Sequence, residues 1–286
     1  MKKIKLGHIS LVIVGLKMLL ISIVLIKYLP LASAEDLLFD QTFFWFLLAG
    51  FLAQIVDGAL GMAYGVTSNT VLLGFGLSPK LASAAVHTAE VFTTGVSGLS
   101  HIKFGNFNKA LFFRLIVPGT ISAALGAFLL GSVIDGKMIK PYINAYLMIL
   151  GALILYKALK RGIGTGNNLK RAPIYALFGG FLDAIGGGGW GPIVTSNLIK
   201  EGNTPNMVIG TVNTAEFFVT YVSAGVLIYL TGIQSWQIIL GLILGGTIAA
   251  PFGAYITKRM PARAMMVIVG VLIMLTSLFS LVNSLF

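Results

Sequence analysis

The chain has no cysteine, which excludes disulfides, thiolate metal sites and cysteine nucleophiles and leaves its redox compartment unread. It is also short of charge. Only 10% of its 286 residues are Asp, Glu, Lys or Arg, against roughly 25% in a soluble domain. Such a chain cannot cover a water-facing surface. Histidine is scarce: His8, His87 and His101 are the full set and lie far apart, so no metal site is expected. H-E-x-x-H, the P-loop and the G-x-S-x-G elbow are all missing, so no catalytic residue, cofactor or ATP-driven pump is expected.

What is present is grease and glycine. Hydrophobic residues make up 57% of the chain, and 35 residues are glycine. Apolar runs recur near 9–30, 42–76, 82–101, 109–134, 139–158, 172–199, 205–231, 234–257 and 264–286. Lipid is therefore the expected solvent, and small residues let membrane helices approach closely. The net charge of +11 would raise nucleic acid as a partner in a soluble protein. Here most Lys and Arg fall in short loops, where they set topology instead, and no nucleic-acid partner is expected. At the N-terminus, Lys2, Lys3 and Lys5 precede an apolar stretch, and Leu31-Ala32-Ser33-Ala34 resembles a cleavage site. The stretch reads as an uncleaved first helix, because Lys17 and Lys27 interrupt it and it is long enough to span.

The chain also repeats itself. Gly50-Phe51-Leu52 returns as Gly180-Phe181-Leu182, and Gly58 and Gly61 as Gly188 and Gly191. Thr67-Ser68-Asn69 returns as Thr195-Ser196-Asn197, and His87-Thr88-Ala89-Glu90 as Asn213-Thr214-Ala215-Glu216. Gly119-Thr120-Ile121 returns as Gly246-Thr247-Ile248. An internal repeat in an apolar, helix-rich chain marks a membrane transporter.

Segments 42–76 and 172–199 are too long for one span, and each has a glycine break. The breaks are read at Asp57–Gly61 and at Gly186–Pro192. An arm of about 15 residues reaches about 22 Å, short of a ~30 Å hydrocarbon core. Each segment therefore reads as a re-entrant hairpin. With the N-terminus inside, the basic loops 102–109, 157–171 and 258–263 all fall inside, while 31–41 with Glu35, Asp36 and Asp40 falls outside. The C-terminus is then outside. The expected fold is an all-α integral membrane protein with seven spanning helices and two re-entrant broken-helix hairpins, arranged as two inverted-topology repeats. Its parts are an N-terminal helix and outer loop (1–41), a first repeat (42–156), a basic cytoplasmic linker (157–171) and a second repeat (172–286). The linker is expected to meet phospholipid.

Irregular backbone at membrane depth must line a cavity or be covered by protein. A half-helix starting there offers free N–H groups and a positive dipole end. Two such starts would make an anion site. Gly58, Gly61, Gly188, Gly189 and Gly191 allow close approach, Trp190 sits among them, and Thr67, Ser68, Asn69, Thr195, Ser196 and Asn197 add neutral donors. The alternative is that these glycines serve packing only. Glu90 and Glu216 lie mid-helix within T-A-E-x-F, where a carboxyl is either a proton carrier or a structural clasp between helices. His87, three residues before Glu90, either shuttles protons or only hydrogen-bonds, and Asn213 replaces it in the second repeat. Asp57 and Asp183 flank the breaks without aligning, and either could cap a half-helix.

The run G-F-L-A-Q-I-V-D-G-A-L-G-M from Gly50, then A-S-A-A-V-H-T-A-E-V-F-T-T from Ala82, closely resembles the TauE/SafE sulfite exporter family. G-G-G-G-W-G-P from Gly186 and N-T-A-E-F from Asn213 fit it too, and the similarity covers roughly 43–285. The resemblance implies transport of sulfite, organosulfonates and related sulfur-containing anions across the bacterial cytoplasmic membrane. The combined expectation is a proton-linked secondary transporter of such an anion working by alternating access, with His87, Glu90, Asn213 and Glu216 as its coupling or gating residues. The competing expectations are an anion channel of the same fold and an uptake permease for another small organic anion.

Overall fold

The computed structural model describes residues 6–28, 39–60, 62–159, 168–233, 236–256 and 262–285. These residues form helices without a strand among them. In chain order they are α1 (Leu6–Tyr28), α2 (Gln41–Leu60), α3 (Tyr64–Gly74), α4 (Pro79–Lys103), α5 (Lys109–Phe128), α6 (Gly136–Leu159), α7 (Ala172–Gly186), α8 (Ser196–Lys200), α9 (Pro205–Thr231), α10 (Trp236–Ile256) and α11 (Ala262–Leu285). A π-helical turn, Leu129–Val133, prolongs α5, and another, Gly191–Thr195, leads into α8.

Local chemistry sets several boundaries. Ser78 accepts from the Leu81 amide ahead of Pro79 and starts α4, and Asn108 Oδ1 accepts from Leu111 N at 3.1 Å to start α5. Asp40 Oδ1 accepts from Phe43 N at 3.1 Å and starts α2. Glycines with positive φ, Gly76 and Gly202, end the segments before α4 and α9.

The distribution of side chains is that of a protein solvated by lipid. Leu11, Ile26, Ile121, Tyr142 and Tyr229 are more than 60% exposed, while Gln54, Asp57, His87, Glu90, Asn144, Asp183, Asn213 and Glu216 are buried. Five helical stretches are long and apolar enough to cross a membrane: Leu6–Val24, Gln41–Gly58, Lys109–Val133, Gly136–Leu159 and Pro205–Thr231. The chain is thus a multi-pass membrane protein. Helix α4, though 25 residues long, carries Ser83, His87, Thr88, Glu90, Thr93, Thr94 and Ser97 along its length, all buried.

Packing is reciprocal. Helix α2 lies along α10 and α7 along α5, while α4 packs on α9 and α6 on α11. The small-residue stripe of α10 explains the first of these contacts. A Cβ on Gly241 would lie 2.8 Å from the Phe43 carbonyl oxygen, and one on Gly245 would lie 2.9 Å from Phe51 N.

Several expectations fall outside the described residues: the Leu31–Ala34 motif, Glu35 and Asp36, Gly61, Lys160 and Arg161 of the linker, and Lys258 and Arg259. One expectation is corrected. The first hairpin's leading arm is 20 residues, about 30 Å at 1.5 Å per residue, because α2 continues through Gly58 to Leu60. A glycine weakens a helix without ending it, so the length argument for a re-entrant first arm does not hold. The second arm, α7, has the expected 15 residues.

Candidate functional site

Each hairpin turns at a short non-helical break, and each break is tied by an aspartate. In the first, the chain turns at Met62 and Ala63, and Ala63 takes φ 108°, the one non-glycine with positive φ among the described residues. Asp57 Oδ1 then accepts from Tyr64 N, the first amide of α3, at 3.4 Å. In the second, α7 ends at Gly186, Gly187 takes φ 63°, and Asp183 Oδ1 accepts from Trp190 N at 3.0 Å. Both carboxylates fill the need of a helix start for an acceptor, and both reach seven residues ahead.

This corrects the sequence reading, in which Asp57 and Asp183 did not align. Their hydrogen bonds and flanking residues correspond at a constant shift of 126 residues: Asp57 to Asp183, Tyr64 to Trp190, Gly76 to Gly202, Pro79 to Pro205, Glu90 to Glu216. The amide of Leu77 bonds the Leu72 carbonyl as that of Asn203 bonds Leu198. On this register Asn69 corresponds to Thr195 and Gly65 to Gly191, so the pairing of Thr67-Ser68-Asn69 with Thr195-Ser196-Asn197 is a shifted one. The signal available in the sequence was Asp, then six residues, then an aromatic and a glycine. It occurs as Asp57…Tyr64-Gly65 and Asp183…Trp190-Gly191.

The two breaks press against one another. A Cβ on Gly65 would lie 2.9 Å from the Gly187 carbonyl oxygen and 2.8 Å from Glu90 Oε1, and one on Gly188 would lie 2.6 Å from Val66 Cα. Asn69 Nδ2 donates to the Gly186 carbonyl, and Ser196 Oγ reaches Met62 Sδ at 3.7 Å, so each second arm touches the other hairpin's break. Tyr146 of α6 stands over Gly186 and Gly189. The repeated Gly-Thr-Ile motif also acquires a reason. Gly119 of α5 seats the Trp190 ring, where a Cβ would be 2.7 Å away, and Gly246 of α10 lies beside Tyr64.

The expected residues divide. Gly188 and Asn69 lie at the contact between breaks and Ser196 reaches it, whereas Gly189 packs under Tyr146, Trp190 turns its ring to Gly119, and Gly191 opens the buried π-helical turn. Gly58 is buried inside α2 rather than at a half-helix start. Thr67 and Ser68 line, with Trp45, Phe46, Val71 and Leu272, an apolar groove on the outer side of α3. Asn197 Nδ2 donates to the Ile193 carbonyl within its own arm, and Thr195 is buried in the π-helical turn. Lys157, read as a linker charge, instead donates to the Pro192 carbonyl at 3.2 Å, at the second hairpin.

Behind the breaks stand four buried carboxyls. Glu90 on α4 and Glu216 on α9 face inward, and with Asp57 and Asp183 they act on one another electrostatically. Among the described residues the buried set holds no lysine or arginine. His87 Nδ1 lies 3.0 Å from Glu90 Oε2 and 3.8 Å from Asp183 Oδ2, joining α4 to the second hairpin. Asn213 does otherwise: its Nδ2 donates to Ser97 Oγ at 2.9 Å, across the α4–α9 contact.

The comparisons with known proteins agree with this architecture. The family description "Sulfite exporter TauE/SafE" matches residues 46–280. The chain is 43% identical over 247 residues to the probable membrane transporter protein YtnM of Bacillus subtilis (strain 168), covering 83% of this chain and 82% of that one. No solved structure matches the chain. From the broken helices to the matched span, these findings converge: this membrane transporter belongs to the TauE/SafE sulfite exporter family.

Proposed function

We propose that the protein is a secondary transporter of sulfite or a small organosulfonate across the cytoplasmic membrane, working by alternating access and linked to protons. The observation that carries this reading is the meeting of two helix starts whose first amides each already hold a carboxylate, from Asp57 and from Asp183. Those amides bind the class of acceptor that a sulfite or sulfonate oxygen also presents. The small anion would enter between the hairpin breaks as they part, with Gly188, Gly189, Trp190 and Asn69 at its edge. Membrane phospholipid is the expected neighbour of the basic linker.

Proton linkage follows from charge. An anion brought near Asp57, Glu90, Asp183 and Glu216 is repelled wherever these are ionised, with no buried lysine or arginine among the described residues to offset them. Protons remove that repulsion, so anion binding and proton binding favour each other. Flux should therefore rise as pH falls. The topology proposed with this function has seven spans and two hairpins in inverted repeats (42–156 and 172–286), with the N-terminus inside and the C-terminus outside. The constant register of 126 and the reciprocal packing of α2 on α10 and α7 on α5 support it.

The test is uptake of labelled sulfite by proteoliposomes, with and without an imposed pH gradient. Saturable flux that follows the gradient is the expected result. Flux no greater than in empty liposomes would remove sulfite and direct the same assay to organosulfonates.

A further inference from the structure

The two halves share a hydrogen-bonded scaffold but differ in whether a histidine stands beside it. On the register of 126, His87 corresponds to Asn213, Glu90 to Glu216 and Asp183 to Asp57. In the half where histidine stands, the cluster closes: Nδ1 of His87 meets Glu90 Oε2 at 3.0 Å and Asp183 Oδ2 at 3.8 Å, with all three side chains no more than 3% exposed. In the other half no such contact forms: Asn213 turns to Ser97. Buried oxygens without a hydrogen-bond partner occur in both halves, Asp57 Oδ2, Glu216 Oε2 and Asn213 Oδ1 in one and Asp183 Oδ2 in the other, but only Asp183 Oδ2 has an imidazole nitrogen facing it.

An imidazole titrates and an amide does not. His87 is thus the position at which an imidazole can change charge beside a hairpin, and Asp183 is the link to that hairpin. One oxygen of Asp183 holds the amide of Trp190, where the second arm begins, and the other faces His87. A change at the imidazole therefore reaches the tip through a single carboxylate. The neighbourhood is held in register by Ser83 Oγ, which donates from α4 to the Ala184 carbonyl at 2.7 Å.

We propose that His87, Glu90 and Asp183 form a proton site that acts on the second hairpin, that Asp183 transmits its occupancy to that hairpin, and that the first hairpin, with Asn213 in place of the histidine, lacks this imidazole switch. This deepens the proposed function and rests on its reading of the hairpins as the moving parts. The groups facing the cluster are Glu90 and His87 from α4, Asp183 from α7, Asp57 from α2, Glu216 from α9, Tyr64 from α3 and Tyr146 from α6. All but the histidine are acids, so a proton taken from solvent relieves repulsion. That proton sits in the hydrogen bond between Nδ1 and Oε2, and no bond other than its own is made or broken. With it in place, the imidazole draws Asp183 and the end of α7 toward α4. After it leaves, the carboxylates of Glu90 and Asp183 repel and the tip is released.

Trp190 supplies a reporter that needs no substrate. It is one of three tryptophans, and replacing Trp45 and Trp236 by phenylalanine leaves it as the sole emitter. In the full-length protein in liposomes, its emission should pass through one transition as pH is varied, spanning about two pH units for a single proton. His87→Asn, which places in α4 the residue α9 already carries, should abolish the transition. Asp183→Asn, which keeps an oxygen for the Trp190 amide, should abolish it too, and Asp57→Asn should keep it. Should Asp183→Asn fail to fold, as judged by helical circular dichroism, His87→Asn decides.

Survival of the transition in His87→Asn, or in folded Asp183→Asn, overturns the proposal, as does its loss in folded Asp57→Asn. A stoichiometric divalent metal retained by the wild-type protein and lost in Asp183→Asn also overturns it. A wild-type protein that carries sulfite but shows no Trp190 transition defeats this inference and spares the transport reading. A transition obeying these rules without sulfite flux supports the proton site and defeats the choice of sulfite.

Discussion

Gly65→Ala separates a transport defect from a folding defect. The added methyl would sit 2.9 Å from the Gly187 carbonyl oxygen and 3.1 Å from Gly188 Cα, and both are backbone atoms that cannot swing aside. Overpacking of this kind costs about 1–3 kcal/mol. That cost falls only on the arrangement in which the breaks touch, so it shifts the balance of conformations by roughly 5- to 150-fold. The matched control is Gly76→Ala. Nothing lies within 4 Å of a Cβ there, but φ is +89°, so the substitution strains the backbone by about 1–2 kcal/mol in every conformation. We predict that Gly76→Ala lowers the melting temperature but keeps labelled-sulfite flux per folded molecule. Gly65→Ala should keep most of the stability and lose flux by about fivefold or more. Wild-type flux in folded Gly65→Ala would refute the idea that contact between the breaks is part of the transport cycle.

Glu90→Gln and Glu216→Gln should each flatten the rise of flux toward low pH, because an amide cannot take up the proton; pH dependence unchanged in both would remove the glutamates from coupling. Gly119→Ala places a methyl 2.7 Å from the Trp190 ring and should destabilise the protein by about 1–3 kcal/mol. Trp190→Phe should recover part of that loss, and simple additivity in thermal denaturation would show that the two do not meet. Tyr64→Phe removes the hydroxyl that donates to the Leu242 carbonyl at 3.2 Å and should cost about 1 kcal/mol in the same assay.

Much of the site was legible because membrane helices leave few polar choices. Glu90, Glu216 and His87 stood out in the chain as costly groups in apolar runs, and the structure buries all three. The glycines of 186–191 announced the second break. The first break was misplaced because glycine was taken as its marker. Gly58 stays helical, and the left-handed residue is Ala63, which is held by Asp57 and by neighbours that no local propensity encodes. The repeat was visible too, but its register was read from matching letters. Thr67-Ser68-Asn69 and Thr195-Ser196-Asn197 agree in type, while the hydrogen bonds of the breaks agree at 126.

Composition and hydropathy alone determined that this chain is helical and solvated by lipid, since a backbone in hydrocarbon must satisfy its own hydrogen bonds. The doubled motifs determined that it has two related halves. Tertiary structure decided which residues meet: Asp183 with His87, Asn69 with the Gly186 carbonyl, Trp190 with Gly119. These partners are about 70 to 120 positions apart in the chain. Periodicity reports the face of a helix but not which helix lies against that face, and that choice is made by packing among all the helices at once.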